Sequence, residues 1–236
     1  MRKIRVKGEI AGLLPDEEVQ VLLLDWRQGL PKQALYLAWL ENFERTRLGS
    51  VKNGALRSAY LCTHGLLREA LGVLLGKSPG EVSLEQNSSG KPGLPCGSIQ
   101  FSLSHSENLL AVAFSKYRNI GVDVECVRKN PGLKDIVKSF FSPSEARMLA
   151  GCASEDYFLS GFYKVWTAKE AVVKCLGTGF ACEVGEIDTF GGSRWDLASR
   201  EAFFRTGFQD LFFDVAVTEL SVQNCILSVA TQERPG

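Results

Sequence analysis

Glu170 sits in the stretch FYKVWTAKEAVVKCLGTGF, residues 162–180. Read as a helix at about 100° per residue, this stretch puts Phe162, Tyr163, Trp166, Val173 and Gly177 on one face. Glu170 lies at the centre of that face, with Lys169 and Lys174 on its flanks. An amphipathic helix keeps its carboxylates on the opposite side. A carboxylate turned inward needs a cation, a metal or hydrogen-bond donors. A second acidic feature is IGVDVE, residues 120–125. On a strand, Ile120, Val122, Val124 and Cys126 share one face, and Asp123 and Glu125 share the other, with Cα atoms about 6.5–7 Å apart. Carboxylates so placed repel unless a cation lies between them. With Glu170 they form a set of three hard oxygen donors, which suits Mg2+ completed by water and phosphate oxygens. The flanking lysines could then meet the phosphates that the metal also binds. The plainer alternatives are a strand with one solvated polar face and a helix carrying an internal ion pair or lying exposed.

Other polar features are weaker alone. GKPG, residues 90–93, puts Lys91 in a loop before a strand. SHS, residues 104–106, sets His105 between Ser104 and Ser106 at a strand end. Small donors and a cation in loops suit phosphate recognition; an ordinary hairpin turn explains them as well. In SPSE, Ser142 reads as a helix N-cap, Pro143 as the first turn and Glu145 as the capping-box acid, so local capping is the default role for Glu145. Arg45, Arg47 and Arg57 read as solvated helix charges. No nucleotide P-loop, dinucleotide glycine fingerprint or Ser-His-Asp order occurs. The two histidines, His64 and His105, are too few for a multi-histidine metal site.

These residues need elements to hold them. The chain has 236 residues, enough for one large domain or two small ones, with an ordinary globular share of apolar side chains. Basic and acidic residues balance at 27 each, which speaks against a nucleic-acid partner. No apolar run reaches the ~20 residues of a membrane span, and the N-terminus lacks an apolar signal core. A cytoplasmic protein is expected. The seven cysteines are odd in number and contain no CxxC pair, so neither a disulfide framework nor a zinc site is expected. Periodicity predicts a strand over 19–24, helices over 32–47 and 54–75, and a loop with a short strand over 78–97. Strands then follow at SIQFSLS, LLAVAFS and IGVDVECV, a helix from about 142, and a long helix over 157–176. EVGEIDTF, LFFDVAVT and CILSVATQ read as closing strands. Each half runs strand, two helices, about three strands. The expected fold is α+β, with two similar pseudo-repeated lobes, 1–118 and 119–236, each a small mainly antiparallel sheet packed on helices. The site belongs in the cleft between them.

GKP (90–92), FSLSHS (101–106), IGVDVE (120–125), FFSPSE (140–145) and the long motif at 162–180 occur in the order found in the 4′-phosphopantetheinyl transferases. The chain resembles their long, two-lobed type, which activates peptide and polyketide synthase carrier domains. The match covers most of 43–180, and the combination of GVDVE with WTAKEAVVK is its specific part. The resemblance implies transfer of phosphopantetheine from coenzyme A to a serine of an acyl or peptidyl carrier protein, releasing 3′,5′-ADP. It implies that Asp123, Glu125 and Glu170 hold Mg2+. It also implies that Lys174 contacts the pyrophosphate, that Lys91 and His105 contact the 3′-phosphate end, joined by Arg45 and Ser58, and that Ser104 belongs to the coenzyme A site. Lys169 matches the lysine of the family's KE motif, and Glu145 an acidic position of metal or base chemistry. The general base is left open between Glu170, Glu145 and a metal-bound water. By the same resemblance the lobe 1–118 would bind coenzyme A and 119–236 would carry the metal and catalysis, in a monomer. Ser102 replaces an asparagine common in the family, and KEA replaces the KES of some members. Lys129, Lys134 and Lys138 beside Leu133, Ile136 and Phe140 offer a surface for an acidic carrier; an ordinary amphipathic helix is the alternative. A protein that holds coenzyme A or a carrier without chemistry is the competing function.

Overall fold

The computed structural model describes residues 5–8, 18–178, 184–189, 199–220 and 224–233. The first half comprises β1 (Arg5–Lys7), β2 (Val19–Asp25), α1 (Gln33–Trp39), α2 (Asn42–Ser50), α3 (Gly54–Leu75), β3 (Glu85–Gln86), β4 (Pro92–Gly93), β5 (Gln100–Ser106) and β6 (Leu109–Ser115). The second comprises β7 (Arg118–Cys126), α4 (Leu133–Phe140), α5 (Pro143–Ala150), α6 (Glu155–Leu176), β8 (Glu201–Phe208), β9 (Leu211–Leu220) and β10 (Cys225–Glu233). The fold is α+β, as expected. One sheet has the order β1-β2-β6-β5, the other β7-β10-β9-β8, and β3 pairs with β4. Among the described residues only β1 runs parallel to its neighbour; the other pairs are antiparallel.

Strand alternation decides what each face covers. Leu22 and Leu24 of β2 and Leu110, Val112 and Phe114 of β6 pack on Leu66, Leu67 and Leu71 of α3. The opposite face of this sheet, with Val21, Ala111 and Ala113, packs on Ile120, Val122 and Val124 of β7 and on Val229 of β10. The outer face of the second sheet, with Phe213, Val215 and Ile226, packs on Val165, Ala168 and Val172 of α6. The layers therefore run helix, sheet, sheet, helix. The two sheets also meet at their edge strands β5 and β7. There the N–H groups of Val122 and Cys126 donate to the hydroxyls of Ser102 and Ser106 at 3.1 and 3.0 Å. An exposed strand edge carries unpaired amides, and these serines satisfy two of them.

α3 and α6 are the long helices, each of 22 residues. Asn53 and Ser154 cap their N-termini, and Gly76 and Gly177 end them in the left-handed conformation at φ 64° and 72°. α6 lies directly on β7. A Cβ at Gly121 would stand 1.9 Å from the Ala171 carbonyl oxygen, so only glycine allows this approach. Gly121, Asp123 and Glu125 share that face of β7, which turns both carboxylates toward α6.

Three expectations are corrected. The helix expected over 32–47 is two helices. Leu40 is extended (ψ 137°), and Glu41 opens α2 with a capping box closed by Glu44. Glutamate reads as a helix former, which hid the break. EVGEIDTF forms no strand over its described part: 184–186 is a single 3-10 turn. The sheet is completed instead by β8, a strand the sequence reading passed over, whose exposed Phe203 blurs its alternation. Finally, Cys126 and Cys225 are disulfide-bonded, 99 residues apart in sequence. They stand opposite one another in the β7–β10 register, a relation that sequence spacing does not reveal.

Candidate active site

Asp123, Glu125, Glu170 and Lys174 come together where β5, β7 and α6 meet. Lys174 Nζ donates to Asp123 Oδ1 at 2.7 Å and to Ser104 Oγ at 2.9 Å. Ser104 Oγ also donates to Asp123 Oδ1 at 2.8 Å, and Ser106 Oγ to Glu125 Oε2 at 2.8 Å. The serines of β5 thus orient the carboxylates of β7 one for one. Glu170, one turn before Lys174, is 8% exposed. Its Oε1 and the Oδ2 of Asp123 are buried without a hydrogen-bond partner among the described residues.

Such an arrangement opposes ionisation. Burial pushes the Glu170 carboxyl up to about 7; Asp123 and Glu125 add to the rise and Lys174 works against it. Burial also raises Glu125, opposed by the Ser106 hydroxyl and reinforced by Asp123. A cation placed among these oxygens would relieve both effects. Among the described residues no three His, Cys, Asp or Glu side chains already stand as a metal-ligating group. The two orphaned buried oxygens and the all-carboxylate donor set nevertheless fit a hard divalent ion.

Glu170 and Lys174 also line a cavity of about 1000 Å3. Its walls come from α2 (Phe43, Arg47), α3 (Tyr60, His64), the β3–β4 hairpin with Lys91, β5 (Phe101, Leu103) and the C-terminal half of α6. The hairpin is pinned to α6. Lys91 Nζ donates to the carbonyls of Lys174 (2.6 Å) and Ile120 (3.0 Å), and Asn87 Nδ2 to that of Gly177 (2.9 Å). Cations suit the carbonyls at a helix C-terminus, although burial lowers the Lys91 pKa.

The remaining candidates are placed elsewhere. Glu145 and Lys169 form a fully buried ion pair at 2.9 Å. Glu145 also accepts from the Ser142 amide, in the capping box, and from the Thr189 amide and hydroxyl. Lys169 further donates to the Val184 and Ile187 carbonyls. Neither lines the cavity. Arg45 is spent on the Leu40 and Ala38 carbonyls at the end of α1. Ser58 is half-buried on α3, away from the cavity lining. His105 is exposed on the cavity-facing side of β5, two residues beyond Leu103. On α4, Leu133 and Val137 are buried, while Phe140 stays exposed with its edge against Trp166. Sequence reasoning missed His64 as a cavity residue and passed Arg47 over as a solvated charge. Both face the cavity only through the packing of α2 on α3.

A family model described as the 4′-phosphopantetheinyl transferase superfamily matches residues 119–222. The 4′-phosphopantetheinyl transferase HetI of Nostoc sp. is 37% identical over 129 residues, covering 53% of this chain and 54% of that protein. The 4′-phosphopantetheinyl transferase AcpT of Salmonella typhimurium is 31% identical over 143 residues, 60% of this chain and 70% of that protein. A 4′-phosphopantetheinyl transferase of Bacillus subtilis is 33% identical over 117 residues, 49% of this chain and 50% of that protein. The chain thus spans about half the length of two of these relatives. Among the described residues no helix is long and apolar enough to cross a membrane.

Proposed function

The chain belongs to the 4′-phosphopantetheinyl transferase superfamily, and from that premise we propose that it moves 4′-phosphopantetheine from coenzyme A to a serine of an acyl or peptidyl carrier protein, leaving 3′,5′-ADP. The observation that carries this reading is the buried, uncompensated carboxylate of Glu170 beside Asp123, Glu125 and Lys174, at the end of a cavity large enough for a nucleotide ligand. Two pseudo-repeated lobes, 1–118 and 119–236, meet at that cavity. The shared strand pattern β2-β6-β5 and β7-β10-β9 supports the repeat, as do the two 22-residue helices. The first lobe supplies most of the nucleotide wall; the second supplies the acids. The protein acts in the cytoplasm as a monomer, with no nucleic-acid or membrane partner.

Asp123, Glu125 and Glu170 would hold Mg2+, which would supply Lewis-acid stabilisation of the pyrophosphate oxygens. The carrier serine oxygen forms a bond to the phosphorus that bears the pantetheine arm, and the anhydride bond to 3′,5′-ADP breaks. Lys174 Nζ, released from Asp123, stabilises the charge growing on the leaving group. Glu170, kept ionised by the cation beside it, takes the serine proton. Glu145 is not the base in this reading, because Lys169, Ser142 and Thr189 already occupy its carboxylate. Lys91 closes the hairpin over the ligand, and Ser104 holds Asp123 in place. His105 meets the 3′-phosphate at the cavity mouth. The carrier approaches over α4, where Lys134, Lys138 and Phe140 are exposed.

Coenzyme A labelled in its pantetheine arm, mixed with an apo carrier protein and Mg2+, tests this function. Label on the carrier serine with release of 3′,5′-ADP is expected. Tight binding of coenzyme A without transfer would make the protein a binder instead.

A further inference from the structure

His64 is held from behind and open in front. Its Nδ1 lies 2.6 Å from Glu44 Oε1. The Glu44 carboxylate is fully buried, and it also accepts from both terminal nitrogens of Arg68 and from the Glu41 amide. Burial pushes Glu44 up, but the bonds from His64 and Arg68 outweigh it and hold the carboxyl down at about 2. An ionised carboxylate only accepts, so Nδ1 carries the hydrogen. In the neutral ring Nε2 then presents a lone pair. His64 lines the cavity, no bond from the described residues reaches Nε2, and that atom is not among the buried unpartnered ones. Nε2 is open to the ligand.

The ion pair behind His64 does not require a histidine. The spacing from Glu44 to Glu145 is the same as from Arg68 to Lys169 and from His64 to Val165. The Glu145–Lys169 pair is fully buried with an apolar valine at that place. His64 therefore serves the cavity rather than the pair. The wall around it is aromatic: Tyr60 stacks on its ring at 4.1 Å, and Phe43 and Phe101 line the same cavity. Flat apolar walls suit a base, and an acceptor at their edge suits an exocyclic amine.

Building on the proposed use of coenzyme A, we infer that His64, fixed in one tautomer by Glu44, accepts a hydrogen bond from the amino group of the adenine ring and makes the enzyme selective for an adenine nucleotide. The test compares coenzyme A with its hypoxanthine analogue, in which a carbonyl replaces that amine. Calorimetric Kd values are measured alongside transfer to an apo carrier. The wild-type chain should bind the analogue about tenfold more weakly, the loss of one buried hydrogen bond. His64→Val, which copies the other helix, should bind both compounds alike. His64→Asn keeps a donor toward Glu44 but withdraws the Nε2 acceptor, and should behave the same way if the valine variant does not fold. Equal wild-type affinities, or a preference retained in the variants, would overturn the inference. Absence of transfer from either compound would instead overturn the proposed activity, while the Kd ratio would still decide the role of His64.

Discussion

Glu69 and Glu170 occupy the same position in two helices of equal length, each directly after the buried cation Arg68 or Lys169. Their surroundings differ. Glu69 accepts from the Tyr36 hydroxyl at 2.9 Å and from Lys32 at 2.8 Å. Glu170 keeps a buried oxygen with no partner among the described residues. The facing strands differ in the same sense. β2 presents Leu22 and Leu24 to α3, whereas β7 presents Asp123 and Glu125 to α6. The same strand-on-helix arrangement is a packed core in one half and an uncompensated acidic cluster in the other. A fold gains no stability from three mutually repelling carboxylates, so their presence points to a ligand that supplies the missing charge.

The comparison is broken most sharply at Glu170. Glu170→Gln keeps size and polarity and removes the charge. Turnover should fall by about 10²–10⁴-fold, the usual contribution of a single base. The melting temperature should not fall, because the variant removes a repelled charge. Near-normal turnover in a folded variant, measured by single-turnover transfer at saturating Mg2+, would make Glu170 as structural as Glu69.

The buried pairs test the half of the comparison in which the two sides agree. Glu44→Ala and Glu145→Ala each leave a buried cation unpaired, at about 3–5 kcal/mol. Chemical denaturation should show losses of similar size. The double change Glu145→Leu with Lys169→Met should recover most of that loss, since apolar residues of similar volume replace such pairs well. Per folded molecule, the double variant should keep its transfer activity. A catalytic Lys169 or Glu145 would show up as lost turnover in a stable protein.

What could be read beforehand follows the range of the interactions. The limits of α3 and β6 follow from periodicity and caps that lie within a few residues. Asp123, Glu125, Glu170 and Lys174 stood out because charge on an inward face is visible in one strand and one helix. The partners of Lys169 were not legible, since α5 reaches it only by tertiary packing. The same holds for His64, whose meaning depends on Glu44 behind it and the cavity in front. Arg45 and Arg47 lie on one short helix; only the packing sends the first to the end of α1 and the second to the cavity.

Acid titration separates two glutamates of opposite sign. Glu44 is held at about 2 in the folded chain against an ordinary 4.5. Its stabilising contribution is complete above about pH 4.5 and is lost as pH falls toward 2, a change of about 3 kcal/mol. Glu170, raised to about 7, acts in reverse: stability of the metal-free chain declines as pH rises from about 4.5 to 7 and is level beyond. Denaturation across pH should show a shallower acid limb in Glu44→Gln and a shallower neutral decline in Glu170→Gln; Asp25 and Glu219, also lowered, and Glu125, also raised, keep the remainder. Profiles unchanged in both variants would remove the electrostatic contrast.

The smallest effect is expected where the comparison began. Glu69→Gln makes at α3 the change that Glu170→Gln makes at α6. The amide can still accept from Tyr36, and the Lys32 side chain is half-exposed, so that ion pair is weak. Stability should change by less than about 1 kcal/mol. Transfer should match the wild type, because Glu69 touches neither the cavity nor the acidic cluster. Thermal melting and the same single-turnover assay measure both quantities side by side. A loss of turnover at Glu69 approaching that at Glu170 would mean that the position in the helix, rather than the missing partner, carries the effect, and the contrast between the two glutamates would fail.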